Sequence, residues 1–184
     1  IRTLEPTHHP VLGDGILELT DIKSAPYPGA SVVPEYCRAT YDRRLLVGET
    51  KESVLAPIQA LLDKLMVEDP QLKAKVSYAV GKEQCYTGNE ITGERFFPGW
   101  LYDERDAFVQ DVKKELEGMG YTPEITQYNF CTNGSHYAGE AGIKTFGLGP
   151  SKENLAHTVN EYIEIDQLTK VTDCYYGVMK ALLK

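Results

Sequence analysis

No apolar run in this chain approaches the roughly 18 residues that a membrane-crossing helix requires. The opening Ile1-Arg2-Thr3-Leu4-Glu5-Pro6 has no long apolar region of the kind a secretory leader carries. The expectation is therefore a cytoplasmic protein without a membrane partner. Positive charge is scarce as well: 19 Lys and Arg face 27 Asp and Glu, for a net charge of -8. Nucleic-acid binding relies on clustered Lys and Arg to neutralise phosphates, so no nucleic-acid partner is expected. The cysteines Cys37, Cys85, Cys131 and Cys174 form no CxxC pair, which argues against a structural zinc knuckle. Cys37 and Cys174 fall in apolar-periodic segments and read as small buried hydrophobes. Cys131 has no visibly paired base that would make it a nucleophile. What is present is enough for a core: 42% of the 184 residues are hydrophobic and 25% charged, which suits one large or two small globular domains.

Gly15 to Ile22 and Cys37 to Leu46 have strand character, with the turn-rich Ser24-Ala25-Pro26-Tyr27-Pro28-Gly29-Ala30 between them. Thr50 is placed as an N-cap, after which Val54, Leu55, Ile58, Leu61, Leu62 and Leu65 recur at helical spacing. Lys75 to Val80 reads as a strand. A helix packed on an antiparallel sheet accounts for the chain up to residue 93. Gly81, Gly88, Gly93 and Pro98-Gly99 break up residues 81–102, where the linker is expected, with Gly93 to Trp100 as a return strand. From Asp106, the spacing of Phe108, Val109, Val112 and Leu116 predicts an amphipathic helix that stops near Gly118-Met119-Gly120. A strand at Ile125 to Phe130, a short helix after Asn133-Gly134, a strand at Ile143 to Leu148 and a helix from Asp166 to Leu183 complete an αβαβα run. Such alternation predicts a parallel or mixed sheet.

Gly147-Leu148-Gly149-Pro150 stops the last of these strands, and His157-Thr158-Val159-Asn160-Glu161 follows within a few residues. One imidazole and one carboxylate then stand just beyond a strand end, where α/β enzymes keep their chemistry. Glu161 is placed to orient His157 or to contact substrate. In the strand Tyr36 to Leu46, Cys37, Ala39 and Tyr41 share one face while Arg38, Thr40, Asp42 and Arg44 share the other, with Asp42 available to neutralise a neighbouring Arg. The helix opening at Asn133-Gly134-Ser135 offers backbone amides to an anionic group, or is an ordinary Asn/Gly helix start. His136 adjoins it as a pocket-lining candidate. His8 and His9, in a Pro-bounded loop, read as solvated.

Two separated blocks carry a family resemblance. Thr132-Asn133-Gly134-Ser135, Gly142-Ile143, Gly147-Leu148-Gly149-Pro150 and Ala156-His157-Thr158-Val159-Asn160-Glu161-Tyr162-Ile163 resemble the C-terminal signature of the di-zinc amidohydrolases. Gly29-Ala30-Ser31-Val32-Val33-Pro34 and Tyr41-Asp42-Arg43-Arg44-Leu45-Leu46-Val47-Gly48-Glu49-Thr50 resemble the entry to that family's lid domain. The family includes acetylornithine deacetylase, succinyl-diaminopimelate desuccinylase, aminoacylase and the glutamate carboxypeptidases. The pattern is most similar to the peptidase-like hydrolases linked to selenium and purine metabolism in bacteria.

The resemblance implies an α/β chain: a partial α+β lid (dimerisation) domain over residues 1–93, lacking its first strand and helix, then the C-terminal α/β part of a zinc-peptidase catalytic domain over residues 94–184. It implies His157 as a metal ligand, and Arg44, at the family's Asp-x-Arg arginine, as a binder of the substrate carboxylate. Guanidinium suits that duty because its planar fork makes two parallel bonds to a carboxylate. Asn133, Gly134 and Ser135 are the further substrate-binding candidates. The implied cofactor is a pair of zinc ions in the complete enzyme, with cobalt or manganese as other divalent occupants. In the family's mechanism the two metals share a bridging water, lower its pKa and polarise the scissile carbonyl while a carboxylate takes the proton. The implied substrate is an N-acyl amino acid or small peptide with a free carboxylate, and the implied partner a second copy joined through the lid.

Departures accompany the resemblance. Ser31 stands where the family commonly has Asn, and Thr132-Asn133-Gly134-Ser135 replaces Gly-Gly-Thr/Ser-Asp. The His-x-Asp pair, the bridging Asp and the Glu-Glu pair of the family's N-terminal half are not in these 184 residues, which begin at Ile1. The chain is accordingly expected to be a fragment, inactive alone; the alternative is a non-catalytic dimerisation or binding module derived from the family.

Overall fold

A computed structural model describes residues 3–27, 29 and 31–183 of the chain. Of the residues named above, Ile1, Arg2, Pro28 and Ala30 lie outside them. The chain mixes helices with small antiparallel sheets, an α/β composition, and divides into two compact units between Gly99 and Trp100. Among the described residues no helix is long and apolar enough to cross a membrane.

The first unit contains β1 (His8–His9), β2 (Gly13–Asp14), β3 (Ile16–Ala25), β4 (Tyr36–Arg44), α1 (Lys51–Glu68), β5 (Val80–Gln84) and β6 (Glu90–Glu94). They pair as three antiparallel hairpins: β1 with β2, β3 with β4, and β5 with β6. In β3–β4, Ile16 lies opposite Arg44, Leu17 opposite Arg43 and Glu18 opposite Asp42. A bulge between Leu19 and Asp21 shifts the register, and the Thr20 hydroxyl there donates to the Thr40 carbonyl. The alternation puts Arg44 and Asp42 on one face and Tyr41 and Arg43 on the other. Cys37 corrects the sequence reading: it is exposed, because its hairpin has no helix or sheet packed over it among the described residues.

Helix α1 begins as its sequence dictates. The Thr50 side chain accepts from the Ser53 N–H at 3.2 Å, and the Thr50 N–H donates to the Ser53 hydroxyl at 2.8 Å, a reciprocal capping box. Val54 and Ile58, one turn apart, are buried, as is Leu46. The Tyr78 hydroxyl donates to the Lys51 carbonyl, and its ring meets Phe96 edge-on at 5.5 Å, which ties the helix start to the chain on either side of β5–β6. That hairpin is a second correction. The ladder starts at Val80, where the predicted strand was to end, and continues through residues read as a linker. Its turn closes through the Gly88 N–H to the Cys85 carbonyl, with Gly88 at φ +87° in the left-handed region that glycine adopts without strain.

The second unit contains α2 (Ala107–Gly118), a π-helical turn at Ser135–Glu140, a 3-10 turn at Glu153–Leu155 and α3 (Ile165–Leu182). Val112, Leu116 and Ala181 form its buried core, with Met119, Tyr121, Phe146, Cys174 and Val178 packed around them. Lys180 and Glu115 pair across the two helices at 2.5 Å. Burial, with Asp173 nearby, pushes the Cys174 thiol up, in keeping with its expected role as a small packed hydrophobe.

The predicted strands at Ile125 to Phe130 and Ile143 to Leu148 are not strands here, and no parallel sheet forms among the described residues. An apolar segment becomes a strand only when a neighbour supplies backbone partners, and these two draw on side chains instead. The Tyr102 hydroxyl donates to the Ile143 carbonyl at 2.8 Å, and the Tyr175 hydroxyl to the Leu148 carbonyl at 3.1 Å. They nevertheless lie against each other: a Cβ on Gly147 would collide with the Tyr128 ring.

The capping box yields a direct expectation. Thr50→Ala removes the acceptor for the Ser53 N–H and should lower stability by about 1 kcal/mol, read as a shifted midpoint in urea unfolding. An unchanged midpoint would mean that the cap contributes nothing to holding α1.

Candidate functional site

His157 sits two residues beyond the 3-10 turn at Glu153–Leu155, with its side chain exposed. Its backbone is left-handed, at φ +62°, and Ser151 and Asn160 in the same loop are left-handed too, at +78° and +61°. Non-glycine residues in that region cost on the order of 1–3 kcal/mol each and persist only where the surroundings impose them. Here backbone turns, with the Thr158 N–H on the Leu155 carbonyl and the Glu161 N–H on the Thr158 carbonyl, are joined by side-chain acceptors. The Glu161 carboxylate takes the His157 N–H at 3.1 Å, the Gln167 carboxamide takes the Ser151 N–H at 2.6 Å, and the Glu153 carboxylate takes the Asn129 N–H at 2.7 Å. The Thr158 hydroxyl closes the loop onto the Leu155 carbonyl at 2.7 Å. Glu161 thus acts on the backbone of His157, where the sequence left ring orientation or substrate contact open. Glu153 and Gln167 carry no signal in the sequence, since an acid in a turn and an amide at a helix start are ordinary.

Tyr128 lies on the same side of this unit, its ring stacked on Phe130 at 4.9 Å. Burial pushes its hydroxyl pKa up, and the nearby Glu153 carboxylate and Tyr175 add to the shift, so the phenol stays neutral at physiological pH.

At Thr132-Asn133-Gly134-Ser135 three successive backbone amides, of Gly134, Ser135 and His136, are already engaged. The Gly134 N–H donates to the Thr132 hydroxyl, the Ser135 N–H to the Thr132 carbonyl and the His136 N–H to the Asn133 carbonyl. Asn133 keeps an exposed side chain, whereas Ser135 is only 2% exposed. His136 Nδ1 lies 2.8 Å from the Glu140 carboxylate one turn on.

In the first unit the adjacent arginines have different duties. Arg43 reaches Glu49 at 2.5 Å, and the same Glu49 carboxylate accepts the Leu46 N–H at 2.7 Å and the Thr7 hydroxyl at 3.1 Å. Arg43 therefore fixes the turn that leads into α1. Arg44 is 41% exposed and pairs with Asp42 on its own face at 2.9 Å. An exposed pair of this kind contributes only about 0–1 kcal/mol, so its guanidinium can exchange Asp42 for another carboxylate at little cost. A groove of about 520 Å³ lies beside β3, with Thr7, Leu17, Leu19, Tyr41 and Arg43 among its walls, and Arg44 is not one of them.

A catalytic zinc takes about three protein ligands and an open position. Among the described residues, no three His, Cys, Asp or Glu side chains gather in a way that would hold a metal ion. Taken by themselves, the donors present do not make a metal site, and His157 contributes at most one ligand to one. His8 pairs with Asp14 at 2.7 Å, and His9 Nδ1 accepts the Val11 and Leu12 N–H groups, so both serve the small β1–β2 hairpin.

The clasp on His157 can be tested without a ligand. Glu161→Ala should speed amide hydrogen exchange at His157 while leaving the amides in the body of α2 and α3 unchanged. Equal exchange before and after the substitution would show that the loop holds its shape without the carboxylate.

Comparison with known proteins agrees with the sequence blocks. The chain is 34% identical to the uncharacterized protein YgeY of Escherichia coli (strain K12) over 151 residues, which are 82% of this chain and 36% of that protein. It is 25% identical to the uncharacterized protein YqjE of Bacillus subtilis (strain 168) over 131 residues, 71% of this chain and 34% of that one. It is 40% identical to an N-formyl-4-amino-5-aminomethyl-2-methylpyrimidine deformylase of Halalkalibacterium halodurans over 86 residues, 45% of this chain and 19% of that one. The chain thus spans little more than a third, or less, of the length of the curated relatives it matches. No solved structure matches significantly. The profile of peptidase family M20/M25/M40 covers residues 29–181, taking in both sequence blocks and most of both units, and the chain belongs to that family.

Proposed function

We propose that this chain is part of a metal-dependent hydrolase that cleaves an amide bond in an N-acyl amino acid or small peptide bearing a free carboxylate. Peptidases of this family generally use divalent metals such as zinc. The observation that carries the reading is the exposed imidazole of His157 at a left-handed position whose backbone N–H donates to the Glu161 carboxylate. Holding one side chain at such a cost is characteristic of functional positions. His157 is one metal ligand in this account, and the other ligands and the general base come from outside these 184 residues, so the chain alone is inactive.

Arg44 binds the substrate carboxylate. Its fork gives up Asp42 for the ligand, an exchange between two carboxylates of the same charge. The Gly134, Ser135 and His136 amides serve the turn itself, so contact with substrate is assigned to Asn133, whose side chain is exposed. The Halalkalibacterium halodurans relative is named as a deformylase of an N-formyl compound. An N-formyl group on nitrogen is an amide, the bond class proposed here. The first unit is the lid through which two copies associate, and the narrower kinship with selenium- and purine-linked hydrolases belongs to the same proposal.

The absence of a metal-holding group among the described residues gives a second reading some weight: a non-catalytic dimerisation or binding module of the same family. The two part company on His157 and Arg44 in the complete protein. His157→Ala should lower bound divalent metal and abolish hydrolysis of N-acyl amino acids. Arg44→Lys should raise KM at least tenfold for substrates with a free carboxylate and little for their amides, because Lys cannot reproduce the bidentate fork. Unchanged metal content and activity in His157→Ala would defeat the ligand assignment. A wild-type protein without turnover on any N-acyl amino acid or dipeptide would favour the module.

A further inference from the structure

Trp100 opens the second unit and lies against the middle of the Asn133–Ser135 segment. A Cβ built on Gly134 would stand 2.7 Å from Trp100 Cζ2, 2.8 Å from Cε2 and 2.9 Å from Nε1. Carbon atoms pack at about 3.5–4.0 Å, so only glycine leaves room for the indole. The ring also neighbours an aromatic group: Tyr102 lies 6.1 Å away at a 60° tilt, Phe108 meets Tyr102 edge-on at 4.9 Å, and the Tyr102 hydroxyl is anchored on the Ile143 carbonyl. Trp100 is half-buried, yet among the described residues its indole N–H has no hydrogen-bond acceptor and is not sealed from solvent. The donor is therefore open to a partner from solution. A rigid apolar surface with one directed donor is how a small-molecule site combines affinity with selectivity.

We infer that Trp100 is a specificity-determining residue for the acyl group of the substrate. Its ring borders an apolar, preferably aromatic, acyl group, and its N–H donates to an oxygen of the same ligand. The inference rests on the reading above that Asn133 meets substrate, since Gly134 is what seats the indole there. It differs from that reading in what it predicts: a preference for N-benzoyl over N-acetyl forms of the same amino acid.

The test is a comparison of kcat and KM for N-benzoyl and N-acetyl amino acids in the complete protein and its Trp100→Ala, Trp100→Phe and Asn133→Ala variants. If turnover is absent, dissociation constants by calorimetry replace KM. Trp100→Ala should erase about tenfold of the benzoyl preference, through KM, with kcat little changed. Trp100→Phe should keep most of that preference while raising KM for both substrates, because the ring remains and the donor is lost. An unchanged ratio in Trp100→Ala, with a raised KM in Asn133→Ala, would overturn the role of Trp100 and leave the Asn133 subsite standing. No change in either variant would overturn the subsite and the inference together. Should Trp100→Ala fail to fold, as judged by circular dichroism, Trp100→Phe decides: an unchanged KM for both substrates would overturn the donor.

Discussion

Backbone that runs without a strand neighbour must find hydrogen-bond partners elsewhere, and this constraint shapes the second unit. From Tyr121 to Glu164 there is neither an α-helix nor a ladder, only two short turns. Side chains serve the backbone in their place. Glu153, Glu161 and Gln167 accept N–H groups, and Tyr102 and Tyr175 donate to carbonyls. Each of these bonds contributes about 0.5–1.5 kcal/mol net; what they supply together is a fixed geometry for residues that no sheet positions.

The candidate site inherits that geometry. His157 is held through its main chain by a carboxylate four residues on, in a left-handed backbone conformation that is uncommon for a non-glycine residue. Arg44 is placed by the opposite device, a regular ladder in which strand alternation sends Arg43 to the turn at Glu49 and Arg44 to the exposed face with Asp42. Two neighbouring residues of one type thereby divide into a structural and a functional candidate through the two-residue period of a strand.

Helices were legible in the sequence because their signals are local. The Thr50 N-cap, the stripe through Val54 and Ile58, and the spacing of Phe108, Val112 and Leu116 all act within a few turns, and α1 and α2 begin where those signals put them. The β3–β4 hairpin was legible from its two apolar-rich arms. The β5–β6 hairpin was not, because Gly81, Gly88 and Gly93 read as breakers, whereas Gly88 makes the turn and Gly81 lies opposite Gly93 in the ladder. Ile125 to Phe130 and Ile143 to Leu148 failed the other way. Their residues suit strands, but a strand is a relation between two backbones, and one segment's composition cannot show whether the second is there. At the site, His157 and Arg44 became candidates through the family resemblance, while the clasp by Glu153 and Gln167 and the seat of Trp100 on Gly134 depend on contacts distant in the chain.

Membership of the peptidase family, a single positioned imidazole and the absence of a metal-holding cluster among the described residues are reconciled if the metal site is shared with sequence outside these 184 residues. The most direct measurement is the divalent metal bound per protein chain, by elemental analysis after dialysis, for the complete protein and for this chain alone. The account predicts bound metal in the complete protein and none retained by the chain. Stoichiometric metal on the chain alone, or a complete protein that binds none, would contradict it.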